Sequence, residues 1–266
     1  MSVSGGGSLV KGNASTTTVG VPIFLTAPAN MVISDGALVL SGGGVWTGAV
    51  STQQGGSLQF VAGSFLLNVP ASLNGTTGSL VVAGSSSVRV NVGIALGSAA
   101  AINVTSGQLF VSGNSTVTED APIVVASGTV AVTQPTTFTS LVTVNGGSLN
   151  ITADVNMTGG ILVLSGNVFV LGGRVLVGGG GCSIAGGYLF VATAQSLVVT
   201  VPCSQSAGSL DGPGTFSFSA LAWSGGSWTG LGSTSLQGML TISSSVSVSR
   251  SVGVDCVVAV WVANCC

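Results

Sequence analysis

Few residues in this chain could do chemistry. Its 266 residues include no histidine, four Lys or Arg and six Asp or Glu. Without histidine there is no Ser-His-Asp triad, no Cys-His pair and no histidine metal site. The acids are Asp35, Glu119, Asp120, Asp154, Asp211 and Asp255. Glycosidic hydrolysis takes two carboxylates at a set separation across one groove. Glu119 and Asp120 are adjacent, so on a strand they would point to opposite faces, and they precede Ala121-Pro122, which reads as a loop. A groove that gathered two of Asp35, Asp154 and Asp211 would be needed for such chemistry. Almost no Asp follows a glycine, which removes the repeated calcium sites of some solenoids. The run Gly178 to Gly181 lacks the lysine and the strand-loop-helix setting of a phosphate loop. The expectation is no catalytic, cofactor-binding or metal-ligating residue, no cofactor and no enzymatic activity.

Five cysteines fall at 182, 203, 256, 265 and 266, with none earlier. Their spacing fits no zinc or redox motif. Cys182 and Cys203 are close to one repeat apart. They could stack on adjacent turns and bridge, or remain buried as small apolar residues. Cys265-Cys266 reads as a frayed terminus. Six N-x-S/T sequons, at Asn13, Asn74, Asn103, Asn114, Asn150 and Asn156, are a weak signal in a chain so rich in Ser and Thr.

Composition narrows the partners. Charged residues make up 4% of the chain, against about 25% in ordinary globular proteins. Lys11 is the sole lysine, and Arg89, Arg174 and Arg250 lie far apart. Neutralising phosphates takes clustered Lys and Arg, which argues against nucleic acid as a partner. Apolar residues amount to 46% and alternate regularly, which argues against disorder. Mean hydropathy is +0.78. A membrane-spanning helix needs about 18 or more consecutive apolar residues. The best stretch, Val252 to Ala263, is shorter and contains Asp255. No Lys/Arg-flanked apolar segment opens the sequence, so export would depend on a longer chain or an unconventional signal.

The elements that position all of this are written as a repeat. At least eleven times the chain reads Gly, any residue, an apolar residue, any residue, apolar again. The leading glycines include Gly36, Gly56, Gly78, Gly107, Gly128, Gly147, Gly160, Gly173, Gly187, Gly214 and Gly238. Half of the gaps between them run from 19 to 24 residues, the period of a solenoid. Alternation bounded by Gly and Ser reads as half-buried strand. Pairs such as Leu38 and Leu40, Leu109 and Val111, Leu149 and Ile151, and Phe216 and Phe218 are expected to line the core. The glycines are expected at corners that tolerate positive φ. The short gaps between Gly147 and Gly187 are expected to mark two faces of the same turn. Outward positions mix polar residues (Gln59, Asn150, Ser217, Thr241) with apolar ones (Val39, Phe110, Leu176, Phe190), and loops packed over the sheet would cover the latter.

A second repeat spans a longer distance. Trp46-Thr47-Gly48 before Gly56-Ser57-Leu58 aligns without a gap to Trp228-Thr229-Gly230 before Gly238-Met239-Leu240. The structural reading is an indole covering a glycine-rich corner; the functional one is an exposed aromatic platform for sugar. Residues 1–30 read as an N-terminal cap or frayed entry, 31–250 as the solenoid, and 251–266 as a C-terminal tail. Solenoids need atypical ends, because open strand edges invite aggregation.

The segment Gly212-Pro213-Gly214-Thr215-Phe216-Ser217-Phe218, followed by Trp223-Ser224-Gly225-Gly226-Ser227-Trp228-Thr229-Gly230-Leu231-Gly232, resembles the glycine-rich repeats of large microbial cell-surface, adhesin-like proteins. The close match covers about 30 residues and echoes at 42–60; the looser pattern covers 36–242. The resemblance implies an all-β, right-handed, single-stranded parallel β-helix with turns of roughly 20 residues, in an extracellular or cell-surface protein. It brings no catalytic residues.

The expected function is a structural or adhesive solenoid segment, a rod that displays loops. Its expected partners are surface glycans or other surface proteins, and it could associate laterally with itself. The alternative is a carbohydrate-binding or carbohydrate-cleaving β-helix. A transmembrane β-barrel is a third reading, which the scarcity of aromatic residues argues against.

Overall fold

A computed structural model describes residues 1–53, 55–68, 71–74, 79–91, 94–96, 101–112, 115–117, 122–244, 247–249, 251–254 and 258–260; in 71–74, 94–96, 115–117, 251–254 and 258–260 it describes the backbone alone. Among these residues there are strands and no helix. Every strand pairing is parallel. The chain is a β-solenoid whose successive turns lie about 21 residues apart. Parallel neighbours of this kind, one turn above the next, are not the antiparallel strands of an up-and-down barrel.

Each turn has three faces. The turn in the middle of the rod uses Ser148–Ile151, Val155–Met157 and Ile161–Val163 for the first, second and third. The first face is a sheet of 13 strands. Four long strands, Ser8–Val19, Asn30–Leu40, Ser196–Gln205 and Thr215–Trp223, bend round the corner between the second and third faces. They join those two faces into one sheet of 22 strands. Gly147 and Gly160 therefore lead two faces of one turn, which accounts for the short gaps in the repeat.

Alternation fixes which side chains enter. In Ser148–Ile151, Leu149 and Ile151 point in and are 1% and 0% exposed. Leu38, Leu40, Leu109, Val111, Phe216 and Phe218 are likewise buried. Register stacks them into columns: Leu109 on Val130, on Leu149, on Val168, on Leu189. Each fully buried Val, Leu or Ile contributes about 1.5–3 kcal/mol relative to exposure. The core is thus one continuous stack along the axis.

The corner between the third and first faces explains the glycines. Gly107, Gly128, Gly147, Gly166, Gly187, Gly208 and Gly226 form a column of their own. A Cβ on Gly128 would sit 2.5 Å from the carbonyl oxygen of Gly107, and one on Gly147 would sit 2.5 Å from that of Gly128. Those oxygens are occupied: Thr129 N donates to Gly107 O at 3.0 Å and Ser148 N to Gly128 O at 2.9 Å. The expectation of positive φ holds at Gly160 (86°) and Gly187 (76°). At Gly128 and Gly147 the requirement is instead close approach between turns.

Threonines hold other corners. Thr133, Thr152 and Thr158 each donate their hydroxyl to a carbonyl one turn earlier, on Val111, Val132 and Phe138, at 3.1 to 3.3 Å. Where they are described, the connections between strands are four residues or fewer. The expected loops over the apolar outward positions are not there among the described residues; Val39, Phe110, Leu176 and Phe190 are half-buried by their neighbours above and below.

Pairing extends into the stretch read as a cap or frayed entry. Ser2–Val3 pairs with Phe24–Leu25, and Ser8–Val19 with Asn30–Leu40. At the other end Ser251–Val254 and Val258–Val260 pair with the preceding turn.

Candidate functional site

The described carboxylates are engaged with backbone rather than with one another. Asp35 Oδ1 accepts from Gly36 N at 2.7 Å, Asp154 Oδ1 from Arg174 N at 2.7 Å, and Asp211 Oδ1 from Gly212 N at 2.6 Å. Each steadies a corner. Asp35 lies within Asn30–Leu40, Asp154 directly precedes Val155–Met157, and Asp211 ends Ser209–Asp211. The nearest two, Asp154 and Asp211, stand three turns apart, about 14 Å at about 4.8 Å per turn, too far to act as a pair across one groove. Glu119, Asp120, Asp255, Arg250, Cys256, Cys265 and Cys266 lie outside the described residues. Among the described residues no three His, Cys, Asp or Glu gather where they could hold a metal ion, and no helix is long and apolar enough to cross a membrane.

Cys182 and Cys203 are bonded to each other, with an S–S distance of 2.05 Å and Cα atoms 4.5 Å apart. They occupy the same inward position on adjacent turns of the third face. Of the two readings open in the sequence, the bridge is the one formed.

Both repeated tryptophans are interior. Trp46 and Trp228 are each 0% exposed. Trp46 Nε1 donates to Ile23 O at 2.9 Å. Trp228 Nε1 donates to Gln205 Oε1 at 2.6 Å, and its ring stacks on Trp223 with centroids 4.1 Å apart. The structural reading of the repeat therefore replaces the exposed sugar platform. The repeat also places Thr52 and Thr234 alike: both are buried, and neither hydroxyl has a hydrogen-bond partner.

Lys11 is 7% exposed and in register with Ile33. Its ammonium donates to the carbonyl and side-chain oxygens of Asn13 and, at 3.3 Å, to Asp35 O. It borders a hollow of about 340 Å³ at the first turn, lined also by Leu9, Val19 and Leu38. Three of the sequons have a structural origin: Asn150 and Asn156 alternate outward just before corner threonines Thr152 and Thr158, and Asn103 does the same before Thr105.

One outward cluster went unnoticed in the sequence. Phe169, Tyr188 and Phe190 stand on adjacent turns of the first face, with ring centroids 6.0 to 6.3 Å apart. Tyr188 Oη donates to Asp211 Oδ2 at 2.6 Å. Burial, then the bond to Asp211 and its charge, push the Tyr188 phenol up to about 12. Further along, the Arg89 guanidinium lies 5.0 Å from the centre of the Phe110 ring. The signal was available: Phe169 and Phe190 are one turn apart and share a position within their strands.

No protein family, curated protein or solved structure matches this chain.

Proposed function

We propose that the chain is a structural or adhesive segment of a secreted or cell-surface protein, a non-catalytic rod whose flat faces and tight corners are its working surface. The observation that supports this most is the unbroken register of the first face, a ladder of 13 strands. At about 4.8 Å per strand such a ladder is roughly 60 Å long. A rod built this way resists bending because every turn is bonded to two others. Its outward residues are mainly hydroxyls, amides and scattered apolar groups, which suits contact with neutral glycans or with other surface proteins. The engagement of Asp35, Asp154 and Asp211 with backbone amides fits a scaffold better than an acid/base pair.

Two measurements test this. Antibody against the chain should label intact cells of the source organism; labelling that appears only after lysis would refute a surface role. Beads coated with the folded chain should adhere to surface glycans or to the cell surface. The carbohydrate reading finds its support in the Phe169, Tyr188 and Phe190 rings beside Asp211. A glycan array that shows tight, selective binding lost in Phe190→Ala would make carbohydrate recognition the primary role.

A further inference from the structure

The chain's single lysine points into the rod. Lys11 lies within Ser8–Val19, in register with the buried Ile33, and is 7% exposed. Its ammonium donates to Asn13 O, Asn13 Oδ1 and Asp35 O. All three are amide oxygens, so the partners of this buried cation carry no charge. Register explains the arrangement. Opposite Gly36 the strand carries three residues, Asn13, Ala14 and Ser15, in place of one. A Cβ on Gly36 would sit 2.5 Å from Asn13 O and 2.4 Å from Ser15 O, so the glycine makes room for the bulge. The bulge turns the Asn13 amide back onto Lys11, and Ser15 Oγ donates to the same Oδ1 at 2.8 Å.

We propose that Lys11 and Asn13 are a modification site at which the folded chain joins its own side chains through an amide cross-link. Lys11 Nζ forms a bond to Asn13 Cγ. The Cγ–Nδ2 bond of Asn13 breaks, and that nitrogen departs. The ammonium begins with three protons and the new amide keeps one. The other two leave on the former Nδ2, which is released as an ammonium ion. Nothing is oxidised or reduced, and no further reactant is consumed.

Three features favour the reaction. The first is proximity. A nitrogen hydrogen-bonded to an amide oxygen lies within about 3.5 Å of the amide carbon, the range of a near-attack conformer, and groups held so react at effective molarities of about 10⁵ M or more. The second is polarisation. Attack places negative charge on Asn13 Oδ1, where the Ser15 hydroxyl already donates. The third is charge. A buried cation costs free energy when its partners are neutral. The cross-link replaces that cation with an uncharged amide and delivers the charge to water. A lysine kept for solubility would stand outside, as the exposed Arg174 does. The product closes a ring across the bulge and fixes it against Gly36. The inference uses the geometry of the first turn and stands apart from the adhesive reading.

Intact-mass spectrometry on the purified, reduced full chain should find it lighter than its sequence by one ammonia. Trypsin cuts after lysine and arginine, but not after a lysine whose nitrogen is acylated. A digest of the unfolded chain should therefore yield residues 1–89 as one peptide instead of 1–11 and 12–89. Lys11→Arg and Asn13→Ala should each restore the full mass, and Asn13→Ala should also restore the cut after residue 11. Far-UV circular dichroism checks that both variants remain folded, and the unsubstituted chain decides even if they do not. Full mass with 1–11 and 12–89 as the sole products would overturn the proposal. So would a lost ammonia with the cut after Lys11 intact, the mark of succinimide formation at a site such as Asn145-Gly146.

Discussion

Between Ile123 and Val191 the interior is filled almost entirely by branched aliphatic side chains, whereas between Cys203 and Trp228 indoles, phenyl rings and one amide fill most of it, beside Leu210 and Leu221. In the first region the same small shapes recur at the same places, and no single side chain is indispensable. What cannot change there is the backbone at the glycine corner. In the second region a few large side chains fill the space, and Trp228 brings an N–H that must be satisfied in the interior. Gln205, 0% exposed, supplies the acceptor. Tolerance thus sits in the side chains of one region and vulnerability in its corners; in the other, vulnerability sits in a buried polar pair. The bridge from Cys182 to Cys203 links the two.

The contrast can be broken first at the glycine column. Gly147→Val puts a branched side chain onto Gly128 O and should cost more than about 3 kcal/mol, read as a lowered urea midpoint. Gly12→Ala, whose Cβ would meet nothing nearer than Ser34 Oγ at 3.6 Å, should change stability by less than about 0.5 kcal/mol. Next comes the link between regions. Cys182→Ala with Cys203→Ala opens a loop of 21 residues and should lose about 3 kcal/mol in the same assay.

Within the aromatic region, Gln205→Leu orphans the Trp228 N–H and should cost about 2 kcal/mol. Adding Trp228→Phe removes the orphaned group, so the double variant should lose less than the sum of the single losses; simple additivity would show that the pair is not coupled. A smaller effect has the opposite sign. Thr52→Val and Thr234→Val replace unpartnered buried hydroxyls and should each raise stability by about 1 kcal/mol. Smallest is the titration of Tyr188, the chain's single tyrosine. Its folded pKa is raised, so its contribution is complete below the unfolded value near 10 and fades as pH rises towards about 12. Ultraviolet titration should place its ionisation there, and Asp211→Asn should bring it down.

Much of this fold is legible because alternation and the glycine spacing both report on geometry. Leu109 and Val111 had to be inward once the strand was recognised, and the register of Gly128 on Gly107 follows from their separation. Other features depend on three dimensions. The sequence motif treats Gly128 and Gly160 alike, yet one avoids a carbonyl and the other adopts positive φ. Gly208 and Gly226 belong to the column but lack the full motif, so strand pattern alone passes over them. Trp228 looked equally suited to an exposed platform, because indole spacing does not say which side of a sheet it takes. The Tyr188–Asp211 bond joins different turns, and no local pattern announces it.

The glycine column makes the turn itself the increment of the rod. Gly147 and Gly166 hold equivalent places, and the amides that follow them, on Ser148 and Asn167, reach equivalent acceptors one turn earlier. Removing 148–166 would set Asn167 directly after Gly147, with every ladder still able to close. Length and cross-section are therefore separate variables in this architecture. Reach can grow or shrink a storey at a time while the floor plan stays the same.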